Sequence, residues 1–156
     1  MIYVFDSDAL IELFKHYYHS RFPTLWERFD NLVLAGHIIS VREVSNEIMQ
    51  WDDNLAVWAK KNKNIFPASS AEELRFVTEI FRRKHFQANI RKKVRLKGKP
   101  VADPFVIAKA KIVQNGCVVT QEIFKQNGAK IPNICEAFRI PYINLEGFME
   151  EEDWKF

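Results

Sequence analysis

The sequence is short of the residues that secreted and membrane proteins lean on. Its two cysteines, Cys117 and Cys135, are too few for a disulfide framework. Both fall in apolar stretches and read as small core residues of a reducing compartment. The histidines, His16, His19, His37 and His85, are scattered, and with the two cysteines they offer no zinc-ligand spacing. No apolar run approaches the ~20 residues needed to cross a bilayer. Met1 leads into a strand pattern with neither a basic n-region nor a small-residue cleavage site. The expected location is therefore cytoplasmic, with no membrane partner. Five glycines and six prolines in 156 residues mark no linker, so residues 1–156 are expected to form one domain. A last absence is local: from Arg82 to Lys99 there is no Asp or Glu at all.

What is present is apolar and aromatic. Hydrophobic residues make up 47% of the chain and thirteen are Phe, enough to build a core and to exclude a disordered chain. The run Ile2 to Phe5 reads as a strand buried on both faces, and Leu10, Leu13, Phe14 and Tyr17 follow at helical spacing from Ala9 to Tyr18. A second helix is predicted from Pro23 to Gly36, a strand from His37 to Val41, and one helix from Arg42 to Lys63. Ser70-Ala71-Glu72-Glu73 fits a capping box and starts a helix carrying Leu74, Val77, Ile80 and Phe81 inward. Asp103-Pro104 reads as an N-cap with proline at the first helical position, and Asn115-Gly116 as that helix's end. Cys117 to Thr120 is a third strand. A short helical piece from Pro132 to Phe138, a strand candidate from Pro141 to Leu145 and an acidic, solvated tail, Glu150–Phe156, complete the chain. Alternation of strands with helices predicts an α/β domain with a mostly parallel sheet of about four strands flanked by helices.

Sites in such sheets form beyond the carboxyl ends of strands. Four acids from separate segments have that address: Asp6 after the first strand, Glu47 on the helix after the second, Asp103 at a helix start and Glu122 after the third. Capping alone would explain one acid in Asp6-Ser7-Asp8 but leaves the other over. Glu43, one turn before Glu47, is an alternative to it. Crowded carboxylates repel unless something positive neutralises them, and oxygen-rich sites suit Mg²⁺ or Mn²⁺. The unmixed basic run Arg82–Lys99, nine Lys or Arg with Phe86, Ile90, Val94 and Leu96 interleaved, is the footprint expected for a phosphate backbone. Within it Arg91, Lys92, Lys93, Arg95 and Lys97 are the candidate nucleic-acid-binding residues.

These residues resemble the PIN-domain nucleases, and more narrowly the small VapC-like toxins of type II toxin-antitoxin modules. YVFDSDAL is similar to the family's opening motif and carries its first metal-binding Asp onto Asp6, with Ser7 as the hydroxyl neighbour. ISVREVSNEI resembles the second motif at Glu47. VADPFVIAKA resembles the third at Asp103. VVTQE resembles the fourth, a Thr-x-Asp, with Thr120 in register and Glu122 in place of the aspartate. The resemblance spans nearly the whole chain. It implies a three-layer PIN-like domain and a Mg²⁺- or Mn²⁺-dependent endoribonuclease, in which Asp6, Glu47 and Asp103 hold metal and Glu122 assists. The same resemblance implies a cognate antitoxin protein and a homodimer as partners.

Two other readings stay open. VFDSDAL also resembles the Asp-x-Asp start of haloacid-dehalogenase-type phosphatases, with Asp6 as nucleophile and Asp8 as acid-base group. Against it, Ala9 follows Asp8 where Gly or Thr is usual. The third reading is a noncatalytic RNA-binding or partner-binding domain that uses the basic run as its surface.

Overall fold

The computed structural model describes residues 1–51, 53–90 and 101–156. The candidate RNA-binding residues Arg91, Lys92, Lys93, Arg95 and Lys97 lie outside them. In chain order the elements are β1 (Ile2–Phe5), α1 (Ser7–His16), α2 (Pro23–Leu34), β2 (Ile38–Ile39), α3 (Arg42–Ile48), α4 (Asn54–Lys61) and α5 (Ala71–Arg82). A helical stretch over residues 87–90 (α6) leads up to the undescribed segment. Then come α7 (Asp103–Ile112), β3 (Gly116–Val119), α8 (Ile131–Ala137), β4 (Tyr142–Ile143) and α9 (Leu145–Glu151).

The four strands form one parallel sheet in the order β2-β1-β3-β4, flanked by helices, which is the three-layer α/β domain expected from the sequence. Tyr3, Val4 and Phe5 of β1 and Cys117, Val118 and Val119 of β3 are all buried, as central parallel strands require. Helix α7 packs across both strands and against α5. Gly116 opens β3, paired with Ile2, because a Cβ there would meet the Ala110 carbonyl at 2.2 Å. The residue that takes positive φ at this corner is Asn115, at 58°. The chain moves from β1 to β2 on one side and later returns to β3 on the other, so the sheet changes winding direction between β1 and β3. A crevice opens at such a point, beyond the carboxyl ends of the two strands.

Several boundaries differ from expectation for identifiable reasons. The helix predicted over Arg42 to Lys63 is two helices, because the Asp53 side chain accepts from the Ala56 amide (3.0 Å) and caps a new start. Trp51, whose spacing from Val44 and Ile48 continues the apolar face of a single helix, lies at that break and is 61% exposed. Strand β2 is shorter than predicted, since the Ser40 amide turns away to the Ile65 carbonyl (2.7 Å) and its hydroxyl to Phe5 O (2.6 Å). Leu74 of α5 is exposed rather than buried, whereas the capping box of that helix is complete, Ser70 and Glu73 exchanging bonds of 3.1 and 3.3 Å. The acidic tail is solvated at Glu150, Glu151 and Asp153, as expected, but docked at Glu152 and Trp154. Phe148 stacks edge-on against Tyr3 and Phe5, Trp154 packs on Phe148, and Tyr3 donates to Glu152 Oε2 at 2.6 Å.

Candidate functional site

Asp6 sits where β1 ends and α1 begins, at the N-cap position, yet its side chain makes no capping bond. The carboxylate is thus not used by the helix. Its amide donates to Val119 O (2.9 Å), which locks the end of β1 to the end of β3. One residue past β3, the Thr120 hydroxyl lies 3.3 Å from Asp6 Oδ2 and 3.4 Å from both oxygens of Asp8. A hydroxyl has one proton, so these are alternatives among which Thr120 can switch. Asp8 also accepts from the Gln121 amide (3.1 Å). Capping was expected to take one acid of this pair, yet the Asp8 carboxylate reaches across to the end of β3. The D-x-D spacing was the signal, since two acids at one strand end exceed what one helix start can use.

Asp103 is not the N-cap of α7. Phe105 and Val106 both donate to Ala102 O, so the helix begins one residue earlier, with Ala102 at the cap and Asp103 inside the first turn. Asp103 is buried, and its Oδ2 accepts from Asn89 Nδ2 at 3.1 Å. Glu122 accepts from the Ile131 amide at the start of α8 (2.9 Å), while its own amide donates to Thr120 Oγ1 (3.2 Å). Glu47 joins the two halves: Oε2 accepts from the Ser7 hydroxyl (2.7 Å) and Oε1 from the Ala102 amide (3.0 Å), the neighbours of Asp6 and Asp103 in the chain. Glu43 pairs with Arg42 at 3.5 Å.

The electrostatics tie these groups together. Asp6 is 3% exposed, and its carboxyl is driven well above the ordinary carboxylate range, first by burial and then by the charges of Asp8, Asp103 and Glu122. Among the described residues no Lys or Arg pairs with Asp6 or Asp8. The structure therefore gathers Asp6, Asp8, Asp103 and Glu122 into one field, and Glu47 stands one hydrogen bond behind it. Cys117 and Cys135 are both buried, and burial pushes the Cys117 thiol up to about 11, which suits packing and not thiolate chemistry. A cleft of about 800 Å³ between α1 and α9 borders the acids through Gln121 and is lined also by Glu12, His16 and Glu146.

The donor set is all oxygen and crowded with like charge, and beside it Asn89, bonded to Asp103 through Nδ2, has a buried Oδ1 with no donor among the described residues. Those properties fit Mg²⁺ or Mn²⁺. Among the described residues no three His, Cys, Asp or Glu side chains close round a single point. That arrangement fits an ion that keeps several of its waters and is held through one or two carboxylates.

Fold and site together define a parallel α/β domain with an acid cluster at its winding switch. Residues 3–156 match the family described as Domain of unknown function (DUF4411), and the chain belongs to that family. No curated protein and no solved structure matches it.

Proposed function

We propose that this protein is a Mg²⁺- or Mn²⁺-dependent endoribonuclease, of the kind that acts as the toxin of a toxin-antitoxin module in the cytoplasm. The observation that carries the reading is the convergence of acids from three separate segments on Asp6, at the switch between β1 and β3. A carboxylate buried among like charges, as Asp6 is, is expensive to keep and marks a candidate functional site. Asp6 and Asp103 are the carboxylates that would hold the ion, with Glu122 assisting and Glu47 bracing the segments that carry them. When bound, such an ion supplies water of lowered pKa and a counter-charge for a phosphodiester.

The chain's own groups have distinct tasks. Thr120 donates its single proton to Asp6 or to Asp8, orienting one of them at a time. Glu47 fixes the spacing of the Asp6 and Asp103 segments by accepting from Ser7 and from the Ala102 amide. Glu122, anchored on the Ile131 amide, adds its charge to the field at Asp6. Burial of Asp6 keeps bulk water from screening the charges around it. Arg91, Lys92, Lys93, Arg95 and Lys97 would contact phosphates. RNA binding should then weaken steeply with salt, and replacing three of these residues by Ala should flatten the slope.

The deciding experiment is incubation of the purified chain with labelled RNA in Mn²⁺, Mg²⁺ or EDTA. Cleavage by the metal-loaded protein alone is the expected result. RNA retention without cleavage favours the noncatalytic binding domain. The phosphatase reading draws on the shared contact of Asp6 and Asp8 with Thr120, and turnover of a small phosphomonoester in place of RNA would establish it. An antitoxin partner predicts that expression arrests growth and that a small neighbouring reading frame relieves it. A homodimer predicts twice the monomer mass in solution.

A further inference from the structure

Asn89, on α6, is 4% exposed and touches the acid site through its amide nitrogen. Nδ2 donates to Asp103 Oδ2 at 3.1 Å and to the Ala129 carbonyl at 2.8 Å. These two acceptors fix which way the amide faces. Turned over, Oδ1 would oppose a carboxylate oxygen and a carbonyl oxygen, exchanging two hydrogen bonds for two repulsions. In the fixed orientation Oδ1 is buried and has no donor among the described residues. Buried amide oxygens are ordinarily satisfied, so an orphan bonded through its own side chain to a site acid asks for an explanation. The Ser69 hydroxyl and Glu43 Oε2 are orphaned as well, but neither has a described bond to the acids gathered round Asp6.

We infer that Asn89 belongs to the metal site: Oδ1 is a neutral oxygen ligand for the divalent ion held at Asp103, and Nδ2 is the strut that orients the Asp103 carboxylate. The inference rests on the metal-dependent reading given above. Carbonyl oxygens suit Mg²⁺ and Mn²⁺. A neutral ligand also suits this position, because an acid would add one more charge to a cluster that already pushes Asp6 up. The bond to Ala129 gives the amide a second task, tying Asp103 to the segment that follows Glu122.

The test is Mn²⁺ titration of the full-length, metal-stripped protein without RNA, following the free Mn²⁺ signal by electron paramagnetic resonance. Wild type, Asn89→Leu, Asn89→Ala and Asn89→Asp are compared, with circular dichroism to confirm folding. Asn89→Leu and Asn89→Ala should each weaken Mn²⁺ binding about 10- to 100-fold, the range for losing a supporting group at a metal. Asn89→Asp keeps an oxygen where Oδ1 was and should bind Mn²⁺ close to wild type, while its metal-free form melts lower because two carboxylates then face each other. If Asn89→Leu fails to fold, Asn89→Ala carries the comparison, and Asn89→Asp against wild type decides it if both fail. Wild-type affinity in the Leu or Ala variant overturns the inference. So does an Asp variant as weak as Leu, which would make Asn89 a strut only, and so does a wild type that takes up no Mn²⁺. RNA cleavage on the same samples separates the two readings. Cleavage with Mn²⁺ binding indifferent to Asn89 overturns this inference alone. Binding sensitive to Asn89 without cleavage supports it and overturns the nuclease.

Discussion

Glu73 and Asp6 are equally buried, at 3% exposure each, and their carboxylates live in opposite surroundings. Glu73 closes the capping box of α5 and meets Lys109 of α7 at 3.2 Å, a pair whose side chains are 5% and 15% exposed. Every described partner of the Glu73 carboxylate is a donor or a cation. Asp6 has the Thr120 hydroxyl at 3.3 Å, and the charges that act on it are those of Asp8, Asp103 and Glu122. Helix α7 takes part in both, with Lys109 in the neutralised pair and Asp103 in the repulsive cluster. Burial of a charge thus does not by itself mark a site. Neutralised burial joins two helices, whereas burial among like charges stores a demand for a cation that packing cannot meet.

The largest expected effect lies on the Asp6 side of that comparison. Asp6→Asn or Asp103→Asn should cut RNA cleavage at least about a hundredfold, the usual consequence of removing one strong electrostatic group from a reacting centre. Single-turnover rates at saturating Mn²⁺ would show it, and full activity in either variant would remove the acids from the chemistry. On the other side, Lys109→Met keeps the aliphatic stem and strands Glu73. It should cost roughly 2–3 kcal/mol in urea unfolding, somewhat under the usual loss for breaking a buried pair because Lys109 is partly exposed. The rate per folded molecule should stay as it was. A fall in rate with unchanged stability would mean that the pair serves the site and would dissolve the contrast.

Asp8→Asn is the intermediate case. The Asn oxygen can still accept from the Gln121 amide, so the loss of cleavage should be about tenfold, smaller than at Asp6. A loss as large as that of Asp6→Asn, accompanied by phosphomonoester turnover, would shift the reading to the phosphatase.

The smallest effect has the opposite sign. Because the folded-state carboxyl of Asp6 is raised, the folded protein keeps a proton that the unfolded chain loses as pH climbs past the ordinary Asp value of ~4. The stability from that proton is complete below this value and is lost as pH rises through the raised one. Metal-free Asp6→Asn escapes the loss. It should be about 1 kcal/mol more stable than wild type at pH 7, in the range for relieving a poorly satisfied buried group. The two should converge near pH 4, and Mn²⁺ should narrow or invert the gap by binding wild type better. Wild type more stable at pH 7 without metal would mean that Asp6 is already neutralised.

The strands β1 and β3, the capping box at Ser70 and the apolar stripes of α1 and α2 were readable because each depends on near neighbours: β-branched runs, a cap three residues from its partner, a 3.6-residue period. For the same reason the α3–α4 break was missed, since periodicity continues across Trp51 while the Asp53 cap interrupts the backbone. The addresses of Asp6, Asp103 and Glu122 beyond strand and helix ends were also legible, as were Thr120 and Ser7. Which of these acids share a field was not. Asp8 joins the cluster because the end of β3 comes to it, Glu47 stands behind it because Ser7 and the Ala102 amide take its two oxygens, and Asn89 enters only because α6 meets Asp103 and Ala129. Sequence alone determined the parallel α/β domain and the acids at its strand ends, since local periodicity and caps encode them. Only the tertiary structure decided which acids face one another, because that depends on a strand order, β2-β1-β3-β4, that brings residues more than a hundred positions apart into contact.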